Sequence, residues 1–219
     1  MTARDEILAR VRAAVTDVTS APASRGRTGR PAADAEGQPA PDEATVALFA
    51  EVVADYRATV VRTRADEVGT VVAAALREAG CRSVVVPAGL EPVWRNAIGE
   101  VAEVHAGADI TADRDLDAID GVVTGAAVGI AVTGTIVLDH AADQGRRALT
   151  LVPDTHVCVV REDQIVHDVP EAVFRLRPAD DGARPLTWIS GPSATSDIEL
   201  ERVEGVHGPR TLIVVIVGS

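Results

Sequence analysis

The densest run of residues able to do chemistry is Ser190-Gly-Pro-Ser-Ala-Thr-Ser-Asp-Ile-Glu199, a loop of small residues and hydroxyls. It follows the strand-like Thr187-Trp-Ile-Ser190 and runs into Ser196-Asp-Ile-Glu199, whose spacing is that of a helix capping box. Free backbone N–H groups and the positive end of a helix would meet there, a setting that suits a phosphate or a carboxylate. An ordinary capped helix start accounts for the same residues equally well. Thr133-Gly134-Thr135 is a second small-residue turn, inside apolar sequence, where backbone can approach a ligand closely. A bend in a buried strand is the plainer reading of that glycine.

Two of the five histidines stand out. His156 follows Asp154 by two positions, so on a strand both would share a face and the carboxylate could orient the imidazole as a base or a metal ligand. His207 lies in the turn Gly205-Val-His-Gly208-Pro, just ahead of the last apolar run. A structural histidine bonded to backbone is the bland alternative for each. No Gly-x-Gly-x-x-Gly fingerprint, phosphate loop, nucleophile elbow or metal-ligand spacing occurs. Cys81 and Cys158 are unclustered and set in apolar sequence, so they read as buried, inert thiols.

The elements that must position these residues alternate in period. Residues 2–18 carry a helical apolar stripe (Ile7, Leu8, Val11, Val15), and 20–41 is a run of Ala, Pro, Gly, Ser and Arg that cannot bury enough surface to order itself. This gives a helix over 1–19, a flexible linker over 20–41 and a folded domain over 42–219. Within the domain, a helix beginning near Asp42 is followed by the strand-like Thr59–Thr63, a helix over Ala65–Ala79 closed by Gly80, and the strand-like Ser83–Pro87. That is the grammar of a parallel sheet with helices on its faces. Val93–Ile98 reads as a helix, Val101–Val104 as a strand and Asp115–Ile119 as a helical turn. Val122–Thr124, Ile130–Val132, Thr135–Leu138, Leu149–Pro153, Val157–Val160, Gln164–Val166 and Thr211–Val217 read as strands, and a helix opens at Pro170.

Gly121 to Leu138 holds 18 uncharged residues, the length at which a membrane span is considered. Four glycines, three threonines and flanks without Lys or Arg fit buried strands broken by turns instead. Hydrophobic residues make up 47% and aromatics only 2%, so the core is aliphatic. A net charge of −12 disfavours nucleic acid and anionic membrane surfaces as partners. The N-terminus lacks the apolar core of a signal peptide, which points to the cytoplasm.

Two pairs of motifs carry a family likeness. Gly125-Ala-Ala-Val-Gly-Ile-Ala-Val-Thr-Gly-Thr-Ile-Val137 followed by Gly145-Arg-Arg-Ala-Leu-Thr-Leu-Val-Pro-Asp-Thr-His-Val-Cys-Val-Val160, together with Ser190–Glu199 and Gly205–Arg210, resembles the LUD domain of the lactate utilization protein C (LutC/YkgG) family. The resemblance implies a NagB/RpiA/CoA-transferase-like α/β sandwich around a mainly parallel sheet, with an N-terminal helical arm. It also implies a part in oxidising L-lactate to pyruvate, beside partner proteins that carry the iron–sulfur clusters, with no cofactor in this chain. The family usually has an acidic residue before Thr-Gly-Thr, where this chain has Val132.

The site expected on this basis is an anion pocket for a small carboxylate or a phosphorylated ligand. Thr133, Gly134, Thr135, Ser190, Gly191, Ser193, Ser196 and Gly208 would bind the ligand, with His156 and His207 near the chemistry. Two other readings stand beside it: a non-catalytic scaffold of the same system, and a CoA- or sugar-phosphate-handling enzyme of the same fold.

Overall fold

The structure, a computed structural model, describes Arg4 and residues 41–110, 112–176, 185–196, 202–204 and 208–218. The chain divides into the units Met1–Ala32 and Ala33–Ser219, and the second carries the sheets. The expected helix at 1–19 and linker at 20–41 lie outside the described residues, save for Arg4, which is helical, and Pro41.

Six strands form the main sheet in the order β1 (Thr59–Arg64), β12 (Thr211–Gly218), β7 (Thr155–Arg161), β4 (Gly121–Thr124), β2 (Ser83–Val86) and β3 (Glu103–Ala106). All neighbouring pairs are parallel, as the alternation of strand and helix patterns implies. The runs of Val and Ile in the central strands are buried on both sides because each face has its own cover. Val157, Val159, Ile213, Val215 and Val217 point to one face, against α2 (Val68–Glu78) and α3 (Pro92–Gly99). Cys158, Val160, Leu212, Val214 and Ile216 point to the other, against Val46, Phe49 and Val53 of α1 (Glu43–Asp55). Asp42 caps α1, its Oδ1 accepting from the Thr45 N–H at 2.8 Å.

A second sheet of four strands lies on the α1 side, in the order β8 (Ile165–Val166), β5 (Val128–Ile130), β6 (Thr135–Leu138) and β9 (Thr187–Ile189). β8 and β5 run parallel, and the other pairs are antiparallel. Ile136, Leu138 and Ile165 pack inward with α1, while Val128, Ile130, Val137 and Val166 pack on Ala172 of α4 (Val169–Leu176). The long uncharged run is therefore β4, β5, a tight turn and β6, each strand covered on both faces. Among the described residues no helix is long and apolar enough to cross a membrane.

Three local readings are corrected. The strand expected at Val101–Val104 begins two residues later, because the Val101 and Ala102 N–H groups both donate to Ile98 O and finish α3 as a turn. Leu149–Pro153 is not a strand: Arg147–Thr150 form a 3-10 turn that drops Leu149 among Val85, Leu116, Ile119 and Val122. Ala194–Ser196 is strand β10, paired antiparallel with β11 (Arg202–Glu204), where the capping-box spacing suggested the lead into a helix. Residues 197–201 lie outside the described residues. Both cysteines are free and buried, as their apolar surroundings suggest.

Candidate functional site

In open parallel sheets a ligand usually enters beyond the C-terminal ends of the strands, where the strand order reverses. Here that point falls between β2 and β4, and the loop 139–146 fills it. The Gly89 N–H donates to Ala142 O at 2.8 Å and the Gly125 N–H to Asp143 O at 3.0 Å. A Cβ on Gly89 would meet the Ala142 backbone at 2.5 Å, so the packing requires glycine there. Gln144, buried in this loop, accepts the Asp139 and His140 N–H groups on its Oε1 at 2.7 and 3.1 Å. His140 fastens the loop to β9, with Nδ1 2.8 Å from Gly145 O and Nε2 2.9 Å from Thr187 Oγ1.

The open cavity, about 240 Å³, lies at the other end, around the starts of β7 and β12. Its wall includes Arg147, His156, Ser190, Gly191, Ser193 and Gly208. Four segments converge because β7 and β12 are adjacent, β9 ends above them, and the turn at Arg147 precedes β7. The Ser193 N–H donates to Pro209 O at 2.8 Å, which ties the loop after β9 to the approach to β12. Thr211 N–H donates to Asp154 O at 3.0 Å, and the carboxylate of Asp154 takes a two-pronged contact from Arg210.

Of the sequence-predicted residues, Ser190, Gly191, Ser193, Gly208 and His156 do share this cavity. Thr135 stands behind it: its Oγ1 lies 2.8 Å from Ser190 Oγ and 2.8 Å from Thr133 Oγ1, a chain of three hydroxyls leading into the wall. Gly134 serves the fold. It takes the left-handed conformation (φ 55°) after a 3-10 turn, and a Cβ on it would sit 3.0 Å from the α1 backbone at Val52. Gly191 is likewise left-handed (φ 87°) and lies against Tyr56. The helix end expected at the Ser190 loop is replaced by β10, and the Ser193 amide is spent on Pro209. Ser196 lies in β10, and His207 lies outside the described residues.

His156 is buried, and its orienting partner is not Asp154. Asp154 precedes the strand and turns to Arg210, while His156 Nε2 lies 2.8 Å from Thr124 Oγ1 on the neighbouring strand. Burial, aided by the nearby Arg147 charge, lowers the His156 pKa to about 4, so the ring is neutral near pH 7. Arg147 is the residue that sequence reading missed. It is exposed at the cavity wall and donates from Nη1 to Thr150 O and Oγ1, both at 3.3 Å; among the described residues it has no carboxylate partner. Partial desolvation lowers its pKa. Its only trace in the sequence is its place in the Gly145-Arg-Arg motif. Among the described residues no three His, Cys, Asp or Glu side chains converge as a metal-binding group.

Comparison with known proteins places this geometry. The model of the LUD domain matches residues 34–217. The chain belongs to the LUD domain family. Among LUD relatives, "Lactate utilization protein C" of Deinococcus radiodurans is 50% identical over 176 residues, 78% of each chain. "Uncharacterized protein YkgG" of Escherichia coli is 38% identical over 93 residues, 41% of this chain and 40% of that one. A DUF162 family protein from Deinococcus radiodurans, with a crystal structure at 1.70 Å resolution, is 43% identical; the match covers 80% of this chain and 97% of that chain, with a TM-score of 0.68. In this LUD domain Val132 is 43% exposed on the turn before Gly134 and is not among the residues that line the cavity.

Proposed function

We propose that this LUD protein is a subunit of an L-lactate utilization system and that its cavity holds a small anion, a carboxylate or a phosphorylated group, against Arg147. One observation carries the site: an arginine without a carboxylate partner among the described residues meets serine hydroxyls and a buried, neutral histidine in one cavity. A guanidinium on a partly desolvated wall is best completed by an anion. The name of the 50% identical relative supports the pathway. By the same family resemblance the redox work falls to iron–sulfur partner proteins in the cytoplasm, and this chain carries no cofactor of its own.

The test has two arms. Deleting the gene should abolish growth on L-lactate as sole carbon source in a strain with no other lactate dehydrogenase, with rescue by the wild-type gene; undiminished growth removes the pathway assignment. Calorimetry on the full-length protein should show anion binding that Arg147→Gln weakens at least about tenfold, the scale of one lost charge-assisted hydrogen bond. Unchanged affinity removes Arg147 from the site. A scaffold reading is favoured by one surface observation: Val132, Val169 and Val173 are all exposed, and the Val132 N–H bonds His167 O beside the start of α4. Normal growth of a catalytically silent Arg147→Gln strain, with loss of co-purifying partners when the valines become serines, would decide for it.

A further inference from the structure

His156 is 1% exposed and lines the cavity, yet only its Nε2 has a hydrogen-bond partner among the described residues. Among those residues no buried side-chain nitrogen or oxygen lacks a partner, so Nδ1 is the edge of the ring that the cavity reaches. Its protonation follows from the atoms behind it. Cys158, kept a thiol by burial, donates from Sγ to Gly125 O at 3.6 Å, and Thr124 Oγ1 donates to Cys158 Sγ at 3.8 Å. With the Thr124 proton so placed, its oxygen accepts from Nε2–H of His156 at 2.8 Å. This is the assignment in which each proton of the chain has an acceptor, and it leaves a bare lone pair on Nδ1.

Resting on the anion reading above, we infer that the cavity selects an anion that also carries a hydroxyl, a hydroxy acid in preference to the matching oxo acid, with Arg147 holding the anionic group and His156 Nδ1 accepting from the hydroxyl. An oxo acid presents only lone pairs to Nδ1 and leaves that buried acceptor unpaired. An amino acid would supply a donor, but it would bring an ammonium toward Arg147. Thr124 is a positioning residue, holding the ring in the tautomer that accepts.

The test is titration calorimetry on the full-length chain with two pairs of probes, L-lactate against pyruvate and glycerol 3-phosphate against propyl phosphate, which lacks the alcohol hydroxyls. The hydroxyl-bearing member of at least one pair should bind about tenfold more tightly, the scale of one unpaired buried acceptor. The pair that shows the preference identifies carboxylate or phosphate as the anionic group. Thr124→Val should shrink that preference while leaving Arg147-dependent binding in place. His156→Gln, which keeps a polar group at the ε position and removes the δ one, should erase the preference. Should His156→Gln fail to fold, Thr124→Val still decides. Equal or tighter binding of pyruvate and propyl phosphate, still dependent on Arg147, overturns the acceptor role and leaves the anion pocket standing. No binding of any of the four, or binding indifferent to Arg147→Gln, brings down the pocket itself and this inference with it.

Discussion

Gly134→Ala separates a fold role from a ligand role at the Thr133–Thr135 turn. The backbone at 134 is left-handed (φ 55°, ψ 36°), which costs an alanine about 1 kcal/mol. The new methyl would also lie 2.9 Å from Val52 Cγ1 and 3.0 Å from Val52 C and Val53 N. Two of those three atoms are helix backbone and cannot rotate away, so α1 must shift, at a further cost of about 1–3 kcal/mol by the usual scale of overpacking. The sum, about 2–4 kcal/mol, is a large share of an ordinary domain's stability. For a chain of this size it should lower Tm by roughly 5–15 °C. Thermal melts followed by circular dichroism give the shift, and calorimetry well below both melting points gives the affinity for the anion. The expectation is a large loss of Tm with an unchanged Kd. A Tm within about 2 °C of wild type would mean that α1 does not press on the turn; an unchanged Tm with a tenfold weaker Kd would restore Gly134 to the binding site.

Three other outcomes follow from the same geometry. Burial lowers the His156 pKa from 6.5 to about 4, so the unfolded chain takes up its proton first; the contribution of this residue to stability should be constant above pH 6.5 and fall by about 3 kcal/mol between 6.5 and 4, and pH-dependent denaturation of His156→Gln should lack that component. Gln144→Ala leaves the Asp139 and His140 N–H groups without their acceptor and should cost about 2–4 kcal/mol, with faster hydrogen exchange at those two amides. Ser190→Ala removes an exposed hydroxyl from the cavity wall and leaves Thr135 bonded to Thr133; anion affinity should drop about tenfold with Tm within about 2 °C, and an unchanged Kd would take Ser190 out of the site.

The main sheet was legible because its strands are buried on both faces, which turns β2, β4, β7 and β12 into runs of Val and Ile bounded by glycine or charge. What local sequence hid was decided by distant partners. Leu149-Thr-Leu-Val has the composition of a strand, but the gap over Val85 and Val122 needed one leucine and took it by a tight turn. Ser196-Asp-Ile-Glu199 has a helix-start spacing, yet pairing with Arg202–Glu204 puts Ser196 in a ladder. The candidate site was half readable. Hydroxyl-rich loops announced Ser190 and Ser193, and a histidine inside a strand announced His156. Arg147 gave no local sign, since an arginine in a polar turn looks like any solvated surface charge until the fold brings Ser190 and His156 beside it. Asp154 misled for the opposite reason: its spacing to His156 matters only once the strand has begun, and β7 begins at Thr155.

β12 is the last of the described strands in chain order, yet it lies second in the main sheet, between β1 and β7. On the ribosome, β1 is made more than a hundred residues before the strand it must pair with, and from the moment β7 is made until β12 follows, the edge of β7 is an open template. The sheet can close only after residues 211–218 clear the exit tunnel. The nascent chain therefore waits with its most aliphatic edge unpaired, and a chaperone that covers that edge during synthesis should raise the yield of folded protein more than one supplied after release.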